Sequence, residues 1–398
     1  MSMNTKRILH SMAGTAMAIA LTAGAQAPAP APEAAPAPAA QAPAAPAAAP
    51  AAPTWSVGPM DISGFIDGYY SVNPNTPSNS ANGQTNDLYN FNDKTDQFSL
   101  SAAKLTLNHD PDPVGAHIDL LYGRTNTLVN APSSNSSNEG NYIEQAFLSL
   151  KPTKAKGFEF DFGKFVTSAG AEVIESKDNW NYSRSLLFSW AIPYFHFGGR
   201  ASMPVSKTET VGVQVVNGWN NVTKTNGGVT VGLTSAYVKP KYTWNLNYYG
   251  GPENANTANG MRNLVDTTLL LTPTAKFNAY INYDYGQNRD AIEAQGDKKL
   301  NHWQGIAVAA HNQISAKTAF AARGEWFKDY QGFETGTAQE LKEVTATFEY
   351  KWVEGLLARF EYRGDFSNVP SFHKGSNDMV KYQNTITAGF VAFFGPKR

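Results

Sequence analysis

Cysteine is absent from the 398 residues, which excludes disulfides, thiol catalysis and thiolate metal sites together. Charge is scarce, at 16% against the usual quarter or so. The 32 basic and 33 acidic residues nearly cancel, so neither nucleic acid nor an acidic surface is indicated as a partner. Beyond residue 27 no stretch approaches the roughly 18 consecutive apolar residues that a spanning helix needs. HExxH, GxSxG, P-loop and dinucleotide fingerprints are missing as well. The seven histidines are scattered, and a lone inward His117 or His196 reads as a hydrogen-bonded wall residue. Asp110 and Asp112, set among prolines, read as turn formers rather than calcium ligands. No enzyme, metal or cofactor is expected.

What is present begins with Lys6 and Arg7, then an apolar run from Ile8 to Leu21, then small residues at Ala23, Ala25 and Ala27. This order is that of a cleaved secretory signal over residues 1–27. Residues 28–53 are almost wholly alanine and proline, with Glu33 as the single charge. Proline fixes φ and removes donors, so an extended, disordered periplasmic tether is expected there. A passive spacer is the favoured reading, with a periplasmic contact through 28–53 as the alternative.

From residue 54 to 398 the pattern changes to segments of roughly 9–12 residues with one apolar and one polar face, the length that suits a tilted strand in a bilayer. Tyr242, Trp244, Leu246 and Tyr248 oppose Thr243, Asn245 and Asn247; Val344, Ala346, Phe348, Tyr350 and Trp352 oppose Glu343, Thr345, Thr347 and Glu349. About sixteen such segments can be counted, with 14 or 18 still open because the first two slip phase. Short connections such as Lys239–Lys241 and Val353–Gly355 alternate with long ones such as Asn73–Thr95 and Asp365–Val380. Short turns at one rim and long loops at the other are the habit of outer-membrane barrels. In the segment from Leu356, Arg359, Glu361, Arg363 and Asp365 share one phase. A midplane arginine facing lipid costs about 2–4 kcal/mol, so these charges must face a polar lumen. The fold expected is all-β: a transmembrane antiparallel up-and-down β-barrel.

One connection stands apart. After the strand residues Phe158, Phe160 and Phe162, the chain from Val166 to Pro193 is long, polar and aromatic. The strand end and this connection together read Gly163-Lys164-Phe165-Val166-Thr167, Gly170, Glu172, Asn179-Trp180-Asn181-Tyr182-Ser183-Arg184-Ser185, Phe188 and Ile192-Pro193. With Ile62 to Tyr70, Asn217-Gly218-Trp219 and Glu361 to Ser367, this set resembles the outer-membrane β-barrel porins of the OmpL-like type, over roughly Asp61 to Phe394. The resemblance implies a bacterial outer-membrane, porin-like barrel and says little about substrate; passive passage of small hydrophilic solutes is the function expected, with membrane lipid and lipopolysaccharide around the wall.

Folded inward, the loop would narrow the pore. Glu172, Glu175 and Asp178 would form an acidic lip with Arg184 close by, facing Arg200, Arg323, Arg359 and Arg363 on the wall. Charges so placed would set a transverse field across the opening. Trp180, Tyr182, Phe188 and Trp190 read as aromatic anchors packing the loop rather than as a sugar slide. A homotrimer is expected by analogy with barrels of that size. A substrate-selective channel and a non-conducting adhesin or structural anchor are the competing functions.

Overall fold

The structure, a computed structural model, describes residues 56–78, 84–130, 141–289 and 300–395. The expected signal and Ala/Pro tether lie outside the described residues. Each alternating segment forms one strand of a single antiparallel wall. Sixteen strands run in sequence order from Met60–Val72 to Tyr382–Phe394, and the last closes on the first with Gly389 opposite Tyr69. Closure leaves no unpaired edge, the condition for a sheet to sit in hydrocarbon. The two-residue strand Ser56–Val57 turns back onto Met60 and Asp61.

The side-chain period of two sorts the two faces as the sequence implies. On the strand Gln339–Val353, Val344 is 51% and Trp352 55% exposed, whereas Glu343 and Thr347 in the opposite phase are each 1% exposed. Water would not tolerate so continuous a belt of Ile, Leu, Val, Phe and Trp, and acyl chains do. Among the described residues no helix is long and apolar enough to cross a membrane. The strands are the spanning elements.

The phase slip read in the first two strands has a physical origin. Asp67 pairs with Ala102 but Gly68 pairs with Leu100, so Ser101 is an extra residue on the second strand, a β-bulge. The alternation of connections also holds. Val353 and Leu356 are joined by a tight turn, whereas the connection before Tyr382–Phe394 carries a small hairpin of Phe372–Lys374 and Asp378–Val380. Another long connection contributes the helix Arg124–Asn130.

One wall glycine is required by close approach. A Cβ at Gly389 would overlap the ring of Tyr182, which arrives from the connection after the strand Glu159–Val166. Gly389→Ala is therefore expected to push Tyr182 off the wall and lower stability by about 1–3 kcal/mol, the cost of overpacking. Urea unfolding from lipid vesicles checks this; an unchanged midpoint would mean that the ring moves freely.

Candidate functional site

The strand Glu159–Val166 brings the chain to the long-loop rim, and residues 167–194 then turn into the barrel before the strand Phe195–Pro204 resumes. None of these 28 residues is exposed. A connection this polar can be buried only if its main-chain groups find partners, and the lumen wall supplies them. Glu361 accepts the N–H groups of Tyr182 (2.6 Å) and Ser183 (2.9 Å). Glu325 accepts those of Leu186 (3.0 Å) and Leu187 (3.2 Å). Asn282 accepts from Ala171 at 3.2 Å. In the opposite sense, Arg323 donates to the Ser183 carbonyl (2.8 Å), Arg363 to that of Arg184 (2.7 Å) and Arg359 to that of Ser176. The loop is thus stitched to strands well away from its own in the wall.

Apolar contacts fix the returning half. Leu186, Leu187, Phe188, Ala191 and Ile192 join Phe91, Tyr194, Phe195 and Trp303 in a buried cluster, with a single π-helical turn at Leu187–Ala191. The Trp303 indole donates to the Ala191 carbonyl at 3.1 Å. Of the four aromatic residues singled out in the sequence, Tyr182 and Phe188 are buried, and the Tyr182 hydroxyl donates to Asp67 at 2.7 Å. Trp180 packs against Tyr280 and His311, with ring centroids 5.2 and 5.7 Å away. Trp190 donates to the Leu88 carbonyl at 3.0 Å.

The charged residues named from the sequence are not arranged as two facing rims. Glu172 touches Arg323 at 2.7 Å, and Arg323, with no exposed side-chain surface, also contacts Glu325 (3.0 Å) and Glu343 (3.2 Å). Arg184 is buried under the loop, donating to the carbonyls of Tyr182 and Ile174 and lying over the Phe91 ring. Arg359 holds Glu349 at 2.8 Å, and Arg363 holds Asp365 at 2.7 Å beneath the Tyr89 ring. Glu175 reaches Lys104, which also pairs with Asp119 (2.8 Å) and Glu144 (2.6 Å). Burial works to raise the Glu175 pKa, yet the adjacent Lys104 ammonium outweighs it and holds the carboxyl below its usual range. Only Asp178, paired with Lys177 at 2.6 Å, and Arg200, paired with Asp161 at 2.8 Å, keep substantial contact with solvent among the eight. The physical reason is the cost of desolvating an unpaired charge in a narrow space: opposite charges meet rather than face each other across water.

The lumen is therefore lopsided. On the loop's docking side, Asp266, Asp284, Arg323, Glu343 and Glu361 are all buried. Across from it the lumen face of the strands Phe195–Pro204, Glu209–Val216 and Thr230–Lys239 carries small residues, Gly198, Ser202, Gly212 and Thr234, that stay partly exposed. Beside them the Arg200 guanidinium lies over Phe165 and Phe147, and His117 stacks on Phe147 at 5.1 Å.

Several residues central to this arrangement were not singled out in the sequence: Glu325, Lys104, Asp67 and Asn282. Glu361 was placed in the lumen phase but not at the site. The first long connection is also involved, since Tyr89, Phe91, Asn86 and Asn92 are buried and Asn90 donates to the Tyr194 hydroxyl at 2.7 Å. Its signal was the Leu88, Tyr89 and Phe91 triplet inside an otherwise Asn- and Asp-rich run.

A closed wall with a greasy exterior and a loop across a polar interior defines a porin. The channel DcaP of Acinetobacter baumannii shares this fold at 12% identity, with a TM-score of 0.57 over 84% of this chain and 97% of that one. An anion-selective porin from Comamonas acidovorans does so at 10% identity, TM-score 0.55, over 84% and 99%. OmpT of Vibrio cholerae in a trimer form gives 13%, 0.50, 84% and 99%. No curated protein sequence matches the chain. Residues 59–394 match the family described as putative beta-barrel porin-2, OmpL-like, and the chain belongs to that family. It is a passive channel of the outer membrane.

Proposed function

We propose that small hydrophilic solutes cross between the inward loop and the wall strands lined by Gly198, Ser202, Gly212 and Thr234, and that the loop is the narrowing. The observation that carries this is the lopsided lumen: buried ion pairs on one side, small and partly exposed residues on the other. In this reading Asp178, Lys177 and Arg200, rather than the buried pairs, meet the solute. Residues 1–27 are a removed signal and 28–53 a periplasmic spacer. The barrel assembles as a homotrimer, a reading supported by the trimer form of OmpT, which has the same fold.

Planar-bilayer recordings test the passage. Reversing Arg200 to Glu is expected to shift the zero-current potential in a salt gradient toward cation preference, since it removes the partly exposed cation beside Asp161. Neutralising Glu172, Glu175 and Asp178 together is expected to change the single-channel current at least twofold. If ion preference and current both stay at the native values in both variants, the loop does not set the narrowest point.

A further inference from the structure

The outward face of the barrel is not uniformly convex. Near the short-turn rim, across the strands Glu209–Val216, Thr230–Lys239, Tyr242–Pro252, Met261–Leu271 and Phe277–Arg289, it holds a groove of about 700 Å³. Tyr237, Tyr242, Trp244 and Tyr283 line it together with Glu209 and Ser235. Glu209 shares its phase with Val211 and Val213, and Ser235 with Leu233, all of them on the lipid side. The groove therefore opens to the bilayer and not to the lumen.

Glu209 is out of place on such a surface. Among the described residues its carboxylate has one side-chain partner, the Ser235 hydroxyl at 3.4 Å, and no basic side chain within ion-pair distance. Basic groups lie one step nearer the rim instead. Lys239, on the same outward face, holds its ammonium 5.2 Å from the Tyr237 ring centre, and Lys241 is exposed in the adjoining turn. An anion set among four aromatic rings suits a cation, because ring faces and carboxylate attract it together. A separate cationic edge suits a phosphate. The space is that of a small-molecule site, enough for a headgroup and part of one acyl chain.

We infer that this groove binds one phospholipid whose headgroup carries a primary ammonium. The ammonium lies against Glu209 within the aromatic ring, the phosphate toward Lys239 and Lys241, and an acyl chain along the groove. The assignment rests on the chain being a membrane-embedded porin. A second copy of the chain is the less favoured occupant, since it would have to bring a cation to Glu209 as well as fill a concave surface.

Native mass spectrometry of the full-length protein in mild detergent tests it, with ethanolamine- or glycerol-headed phospholipids of identical acyl chains. The wild-type protein is expected to retain the ethanolamine lipid at least tenfold better. Glu209→Gln is expected to bring the two lipids to near-equal retention, and Trp244→Ala to weaken both. Equal retention by the wild type, or a preference that survives Glu209→Gln, would overturn the site. So would disulfide trapping between subunits through cysteines placed at Tyr242 and Tyr283. Bilayer conductance of the same variants should match wild type, because the groove lies outside the lumen. A wild-type protein that conducts but shows no lipid preference defeats the lipid site alone; one that never conducts defeats the porin reading.

Discussion

Arg323→Met is expected to loosen the inward loop and destabilise the barrel more than any other single change in the lumen. The guanidinium is fully buried and is shared by Glu172, Glu325 and Glu343 while donating to the Ser183 carbonyl. Methionine fills much of the volume but leaves Glu172 and Glu325 without a counter-charge and Glu343 with only Arg363, at 3.8 Å. Removing one partner from a buried ionic cluster costs about 3–5 kcal/mol. The loss should appear as a lower urea midpoint for unfolding from lipid vesicles. Single-channel current should become larger and noisier, because Glu172 no longer ties the loop to the strand Thr318–Asp329. Arg323→Lys should fall between the two, since an ammonium restores the charge but cannot reach three carboxylates and a carbonyl with one planar fork. A Met variant with native stability and native current would show that the cluster is not what holds the loop.

The second large effect is expected at Glu361. Its two oxygens accept from the Tyr182 and Ser183 amides and from the Thr347 hydroxyl at 2.7 Å. Glu361→Ala strands three buried donors. At roughly 1–3 kcal/mol for each unsatisfied group, discounted for relaxation, a total near 2–5 kcal/mol is expected. Glu361→Gln keeps one acceptor oxygen and should cost about half as much. The two variants separate lost hydrogen bonding from lost packing. Equal unfolding midpoints for Ala and Gln would mean that the amides find water instead.

The wall was legible in the sequence because one physical rule governs all of it. Every second residue meets lipid, so Tyr242, Trp244, Leu246 and Tyr248 announce their face without knowledge of any neighbour. The bulge at Ser101 blurred the rule where one residue too many entered the ladder. The inward course of 167–194 was legible in part, from its length and its aromatics. What the residues could not reveal was who pairs with whom. Glu172 and Arg323 lie 151 positions apart and touch. Periodicity assigns each a face but no partner, so charges that cancel in contact were read as charges opposed across a gap. The first long connection was missed for a related reason. Asparagines usually mark solvated turns, yet Asn73 and Asn86 hydrogen-bond each other at 2.9 Å in the interior, one of them holding Gln383 as well.

The loop's bonds to remote staves have a mechanical consequence. A hollow cylinder squeezed from the side flattens easily, since its circumference can stay constant while its section turns oval. A brace fixed to separated points of the rim resists that deformation. Ion pairs and backbone hydrogen bonds running from 167–194 to Arg323, Glu361 and Lys104 form such a brace, so the bore should hold its diameter when the surrounding bilayer is compressed or stretched.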